Sequence, residues 1–283
     1  MNVDFQTVVN SVGDLPPMPA VAVKVIEQLQ DSTTSAAGLA DTVAHDPALS
    51  ARVLKIANSS FYSMKRQVKT LESAIVLLGE RTLRSLVLAA SLKGMNKSFG
   101  LLEKMLWEDS IGCAIGAKVL ARRFDTVDSE EAFLGGLFRH IGKVVLNYSR
   151  PETFQDLMQA VYNGEGSIQE LERRYFPYSH ALVGAAVLKK WNFSDSLIEC
   201  TLHHADLNID EREEPSLYRL TATVHLAGAI CTKLGIGQRS PDENLELATQ
   251  PSAQALGLDI GELADTLDAI RIVFNENRSY FLG

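Results

Sequence analysis

Gly135-Gly136-Leu137-Phe138-Arg139-His140-Ile141-Gly142-Lys143 is the stretch on which the reading of this 283-residue chain turns. It opens apolar and then sets Arg139, His140 and Lys143 into a pattern that a helix would bury, where polar groups need a partner or a task. Apolar spacing on both sides predicts one helix over Ser129–Tyr148, with Ser129 near its N-cap. Downstream, the same 3.6-residue period predicts helices over Pro151–Tyr162, Ile168–Arg174, Ser179–Trp191, Ser194–His204, Pro215–Leu234 and Ile260–Asn277. Upstream lies Leu101–Phe124. Asp206–Glu214 is an acidic loop.

The N-terminal third is helical too. Leu15-Pro16-Pro17-Met18-Pro19 is a stiff extended entry, because proline fixes φ and turns its predecessor away from helix. Helices follow over Ala20–Gln30, Ala36–Ala44 (capped by Ser35) and Pro47–Ala57, where Asp46 is the cap and Pro47 takes the first helical position. Thr70 caps Leu71–Leu78, Gly79 stops it, and Glu80–Lys93 resumes. Strand signals are nearly missing, so the fold class is all-α, a multi-helix bundle with an N-terminal helical subdomain. Gly94–Gly100 divides the chain into residues 1–95 and 96–283.

With 46% hydrophobic and 22% charged residues, the composition is that of a folded globular chain and excludes a disordered or collagenous one. Ala74–Leu78 and Leu86–Ala90 are far shorter than the roughly 18 residues of a membrane span, and no early Lys or Arg marks a secretory signal. The expectation is a cytoplasmic protein with no membrane partner. Cys113, Cys200 and Cys231 are odd in number and widely spaced, which suits reduced thiols. The net charge of -8 is uneven: Ala51–Lys97 carries nine basic residues against Glu72 and Glu80, a local +7 that leaves -15 elsewhere.

Gly136–Leu146 resembles the Leu-Leu-His-Asp-Ile-Gly-Lys segment of HD-type phosphohydrolases. The N-terminal half resembles the HDOD (HD-related output domain) branch. The motifs are Leu15-Pro16-Pro17-Met18-Pro19, Asp46-Pro47-Ala48-Leu49, Leu54-Lys55-Ile56-Ala57-Asn58-Ser59, Ala74-Ile75-Val76-Leu77-Leu78-Gly79, His180-Ala181-Leu182-Val183-Gly184 with Trp191, and His203-His204. The resemblance implies an HD-like helical cup, which in active relatives holds divalent metal through a His, an adjacent His-Asp pair and a distant Asp. Carried onto this chain, the first His becomes Asp109, the His-Asp pair becomes Arg139-His140, and the late Asp becomes Gly228.

A guanidinium has no lone pair and repels a dication. The expectation is therefore a vestigial cup built from Asp109, Arg139, His140, Lys143, His180, His203 and His204, with no catalytic residue, no metal and no cofactor. Two fillings are weighed for it: an anion held by Arg139 and Lys143, or an Asp109–Arg139 salt bridge that plugs the space. Cys200 and His204 at i,i+4 are two donors without two partners, a poor zinc site. Gly135-Gly136 suits close packing rather than a phosphate loop.

The function implied is a noncatalytic bacterial signalling output module that binds a signalling protein, through the basic Ala51–Lys97 surface, or a small ligand. A phosphohydrolase with a rearranged site of Asp109, His140, His180 and His203-His204 is the alternative. A third reading is a nucleic-acid or nucleotide binder, in which the Asp46-Pro47 corner mimics a helix-turn-helix. Leu49, Val53, Leu54 and Ile56 weigh against that reading, because a recognition helix needs a face free of the core.

Overall fold

The structure is a computed structural model that describes residues 7–8, 17–30, 34–62, 67–92 and 100–282, with the side chains of 29 and 30 left aside. It is all-α, with no strand among the described residues. The expected linker Gly94–Gly100, apart from Gly100, and the expected entry Leu15-Pro16 lie outside the described residues.

Two compact units emerge. One comprises Pro17–Lys97 together with Leu267–Gly283; the other comprises Met1–Pro16 and Ser98–Thr266. Most of the last helix, from Leu267 on, groups with the N-terminal helices.

The first unit contains α1 (Ala20–Gln30), α2 (Ala36–Ala44), α3 (Pro47–Ala57), α4 (Leu71–Leu78) and α5 (Glu80–Leu92). The caps are as the sequence indicates. Ser35 Oγ accepts from Gly38 N at 3.1 Å, Asp46 Oδ1 from Leu49 N at 2.9 Å, and Thr70 Oγ1 from Ser73 N at 3.1 Å. Gly79 ends α4 at φ 81°, a left-handed value that favours glycine. Leu49, Val53 and Ile56 of α3 are buried, so that helix turns its apolar face into the unit's own core. Phe61 and Tyr62 are also buried, edge-to-face with each other at 5.1 Å. Asn277, from the last helix, accepts from Phe61 N at 2.9 Å and Ser60 Oγ at 3.1 Å, which ties the C-terminal segment to this unit.

The second unit holds α6 (Leu101–Phe124), α7 (Ser129–Phe138), α8 (Ile141–Ser149), α9 (Pro151–Tyr162), α10 (Ile168–Tyr175), α11 (His180–Lys190), α12 (Asp195–His203), α13 (Pro215–Leu234) and the short α14 (Pro251–Ala255). The last helix, α15 (Ile260–Leu282), supplies residues to both units and runs five residues beyond its predicted end. α14 was not foreseen, being a single turn after Pro251.

The segment around Arg139-His140 departs from the single helix that its periodicity predicts. Ser129–Tyr148 is two helices, broken at Arg139-His140, where His140 adopts φ -110°, ψ 16°. Close packing forces the bend. A Cβ on Gly136 would fall 2.6 Å from the Cys113 carbonyl oxygen on α6, and one on Gly142 would overlap the His180 carbonyl oxygen on α11. α7 therefore lies against α6 and α8 against α11, directions that one straight helix cannot satisfy. The N-cap of α7 is Asp128, so Ser129 lies beside the cap as the sequence indicates.

Candidate functional site

The bend aims Arg139 and His140 at Asp109, which α6 presents from its buried face. Asp109 Oδ1 accepts from Arg139 Nη2 at 2.7 Å, and Asp109 Oδ2 accepts from His140 Nδ1 at 2.5 Å. Lys143, one turn along α8, donates to His140 Nε2 at 3.1 Å. His180, at the start of α11, and His204, the C-cap of α12, complete the group. Their rings are mutually edge-to-face with His140, with centroids 5.2–5.4 Å apart. Six side chains of the expected cup therefore converge, each between 2% and 9% exposed.

His203 does not join them. The end of α12 points it outward, where it pairs with Asp206 at 3.2 Å and lies 3.8 Å from Glu199. Adjacent helical residues diverge by about 100°, so only one of the His203-His204 pair can face the interior. Cys200 also turns elsewhere, toward Gly135 on α7. Burial pushes the Cys113 and Cys200 thiols up to about 12, so both remain protonated.

Gly228 explains how the arginine is tolerated. A Cβ built there would overlap Arg139 Nη1. The guanidinium occupies the space beside α13 at the position where the resemblance to HD-type phosphohydrolases implies a late Asp. The HD-type donor set consequently does not fit: one place is glycine, another is a cation, and Asp109 is spent on Arg139 and His140.

Glu172, on α10, was absent from the sequence expectations. It is buried and accepts from both His180 N, at 3.0 Å, and His180 Nδ1, at 2.6 Å. Its only sequence signal is a carboxylate eight residues before a histidine, across a loop of unspecified shape. Burial raises its carboxyl above the usual range. The Thr201 carbonyl plays the same part for His204 Nδ1, at 2.7 Å. Burial, reinforced by the charges of Arg139 and Lys143, pushes His140 and His180 far below ordinary imidazole; burial with neighbouring His180 and Arg139 does the same to His204. All three rings are neutral near pH 7. Burial likewise brings Lys143 down to about 8.

With this geometry established, comparison with known proteins places the chain. The HDOD domain model matches residues 15–207. The chain belongs to the HDOD domain family. A solved HDOD domain protein from Geobacter sulfurreducens shares the fold, with a TM-score of 0.78 at 24% identity, covering 98% of this chain and 95% of that one. A candidate phosphohydrolase from Shewanella amazonensis SB2B gives a TM-score of 0.74 at 26% identity, covering 97% of each chain. An uncharacterized protein of Treponema pallidum (strain Nichols) is 21% identical over 215 residues; this chain spans 42% of that relative's length. The HDOD match ends before α13, so Gly228 lies outside it while Asp109, Arg139 and the three clustered histidines lie within. Among the described residues no helix is long and apolar enough to cross a membrane.

Proposed function

We propose that this HDOD chain is a noncatalytic signalling output module, in which the HD-like cup serves as a packed structural centre and recognition is carried by the basic surface of Ala51–Lys97. One observation carries the reading: the Arg139 guanidinium, paired with Asp109, fills the space beside Gly228. A phosphoester could reach these buried groups only after the packing opened, and Arg139 would still repel the metal that must activate the attacking water.

The recognition surface has a definite shape in the first unit. A groove of about 820 Å³ is lined by Leu54, Lys55, Asn58, Val68, Lys69 and Tyr280. Lys55 and Lys69 are exposed at the groove, and Asn58 braces it by accepting from Val68 N at 2.7 Å and donating to Val68 O at 2.8 Å. Such a groove suits an acidic segment of a protein partner, with charge governing the rate of capture. Lys65 and Arg66, part of the same basic stretch, lie outside the described residues.

The test has two arms. Phosphomonoesters and cyclic dinucleotides should survive incubation with the purified chain in the presence of Mn²⁺ or Fe²⁺. A Lys55→Glu/Lys69→Glu variant should fold normally and capture acidic peptides more slowly. Turnover that disappears in His140→Ala would replace this reading with the rearranged phosphohydrolase, which the meeting of His140, His180 and His204 favours. Salt-dependent binding to duplex DNA would replace it with the nucleic-acid reading, against which the buried face of α3 stands.

A further inference from the structure

We infer that the chain associates with a second copy of itself, the acidic loop Asp206–Glu214 of one copy docking in the basic groove of the other. The inference rests on the groove reading above and names the groove's acidic occupant. Asp206, Asp210, Glu211, Glu213 and Glu214 stand against Arg212 alone, so the loop carries a local -4, while the groove lies within the +7 stretch Ala51–Lys97.

Both surfaces hold charges without counter-charges. Among the described residues, exposed Lys55 and Lys69 form no ion pair, and neither do exposed Glu211, Glu213 and Glu214. Exposed acids elsewhere are paired, Asp265 with Arg123 at 3.2 Å and Asp268 with Arg271 at 2.8 Å. The loop is also preformed. Leu207 anchors it, 8% exposed and at φ 51°. Asp206 Oδ1 accepts from Asn208 N at 3.0 Å, Asp210 Oδ1 from Arg212 N at 2.8 Å, and the Asp210 carbonyl from Glu214 N at 2.9 Å. The two aspartates thus hold the turn, which leaves the three glutamates for a partner. A segment already ordered loses less entropy on docking than a flexible tail does.

Lysine ammoniums on flexible stems reach glutamate carboxylates without demanding one geometry. Each exposed pair contributes little alone, so the association is weak, reversible and screened by salt. Groove and loop belong to different units, so the contact joins unlike patches. Two copies related by a twofold axis make it twice and close as a dimer.

Sedimentation velocity tests the contact. The wild-type mass should rise from one chain toward two with protein concentration and fall back in high salt. Lys55→Glu/Lys69→Glu and Glu211→Lys/Glu213→Lys should each stay monomeric with an unchanged Tm, since only exposed side chains differ. The second variant lowers the net charge from -8 to -4, two Glu→Lys changes adding two charges each, so repulsion between whole chains does not explain its loss of association. An equimolar mixture of the two variants should form a two-chain complex, because one brings an intact loop and the other an intact groove. The inference is overturned if the wild type stays monomeric, if association survives either variant, or if the mixture stays monomeric. A synthetic peptide of residues 206–215 separates the two readings. If it binds the wild type but not Lys55→Glu/Lys69→Glu while the whole chain stays monomeric, the groove reading stands and self-association falls; if neither the peptide nor a second chain binds, both fall.

Discussion

The guanidinium of Arg139 stands where a side chain on Gly228 would have to go. The two positions lie 89 residues apart in the chain, so the fit makes each residue's tolerance depend on the other. Gly228→Ala would push Arg139 off Asp109 and break a buried ion pair, at a cost of about 3–5 kcal/mol. In an Arg139→Met background the same change should be nearly neutral. Urea unfolding of the four proteins measures the coupling, and equal costs in both backgrounds would show that the overlap is relieved without disturbing the pair.

Asp109 and Arg139 act as one unit, so their separate loss and joint loss should not add. Arg139→Ala leaves a carboxylate buried beside His140 only, and Asp109→Ala leaves a buried guanidinium whose Nε already lacks a partner. Each single change should cost about 3–5 kcal/mol and the double change well under the sum. Phosphate and sulfate should leave Tm unmoved, because the fork that would grip an anion is already engaged. A concentration-dependent rise in Tm, abolished by Arg139→Ala, would reinstate the anion reading of the cup.

The helices were legible because their signals are local: Ser35, Asp46, Thr70 and Gly79 act within four residues of themselves. The bend at Arg139-His140 was not, since it is imposed by contacts of Gly136 and Gly142 with α6 and α11, and a glycine does not announce which backbone it meets. Asp109, Arg139, His140, Lys143, His180 and His204 were all named from sequence. Their order around the cup was not, nor was the part of Glu172, because hydrogen bonds between helices leave no periodic trace. His203 was misplaced for a simpler reason: of two adjacent histidines at a helix end, spacing alone does not say which faces inward.

The C-terminal helix should matter to the first unit. Asn277 is buried, accepts from Phe61 N and Ser60 Oγ, and donates to Val273 O at 2.7 Å, while Phe281 stacks edge-to-face on Phe61 at 6.1 Å. Asn277→Ala removes the side-chain acceptor of the Phe61 N–H and should cost about 1–3 kcal/mol. Hydrogen exchange should then accelerate around Ser60–Tyr62. Unchanged protection there would mean that the clamp is dispensable.

His225 provides a pH test away from the histidine cluster. It lies on α13, with Nδ1 2.8 Å from Ser252 Oγ, and burial, aided by the Arg139 charge, lowers it to about 4 from an ordinary 6.5. The folded state then resists protonation more than the unfolded chain does, so between those two values the unfolded chain binds more protons. Its contribution is fully present above about pH 6.5 and drains away as pH falls toward 4, with a slope of at most about 1.4 kcal/mol per pH unit. His225→Gln keeps a partner for Ser252 but cannot titrate. Urea midpoints at pH 7 and pH 5 should therefore fall less in the variant than in the wild type. Equal falls would assign the acid sensitivity to other groups and leave His225 as a packing residue alone.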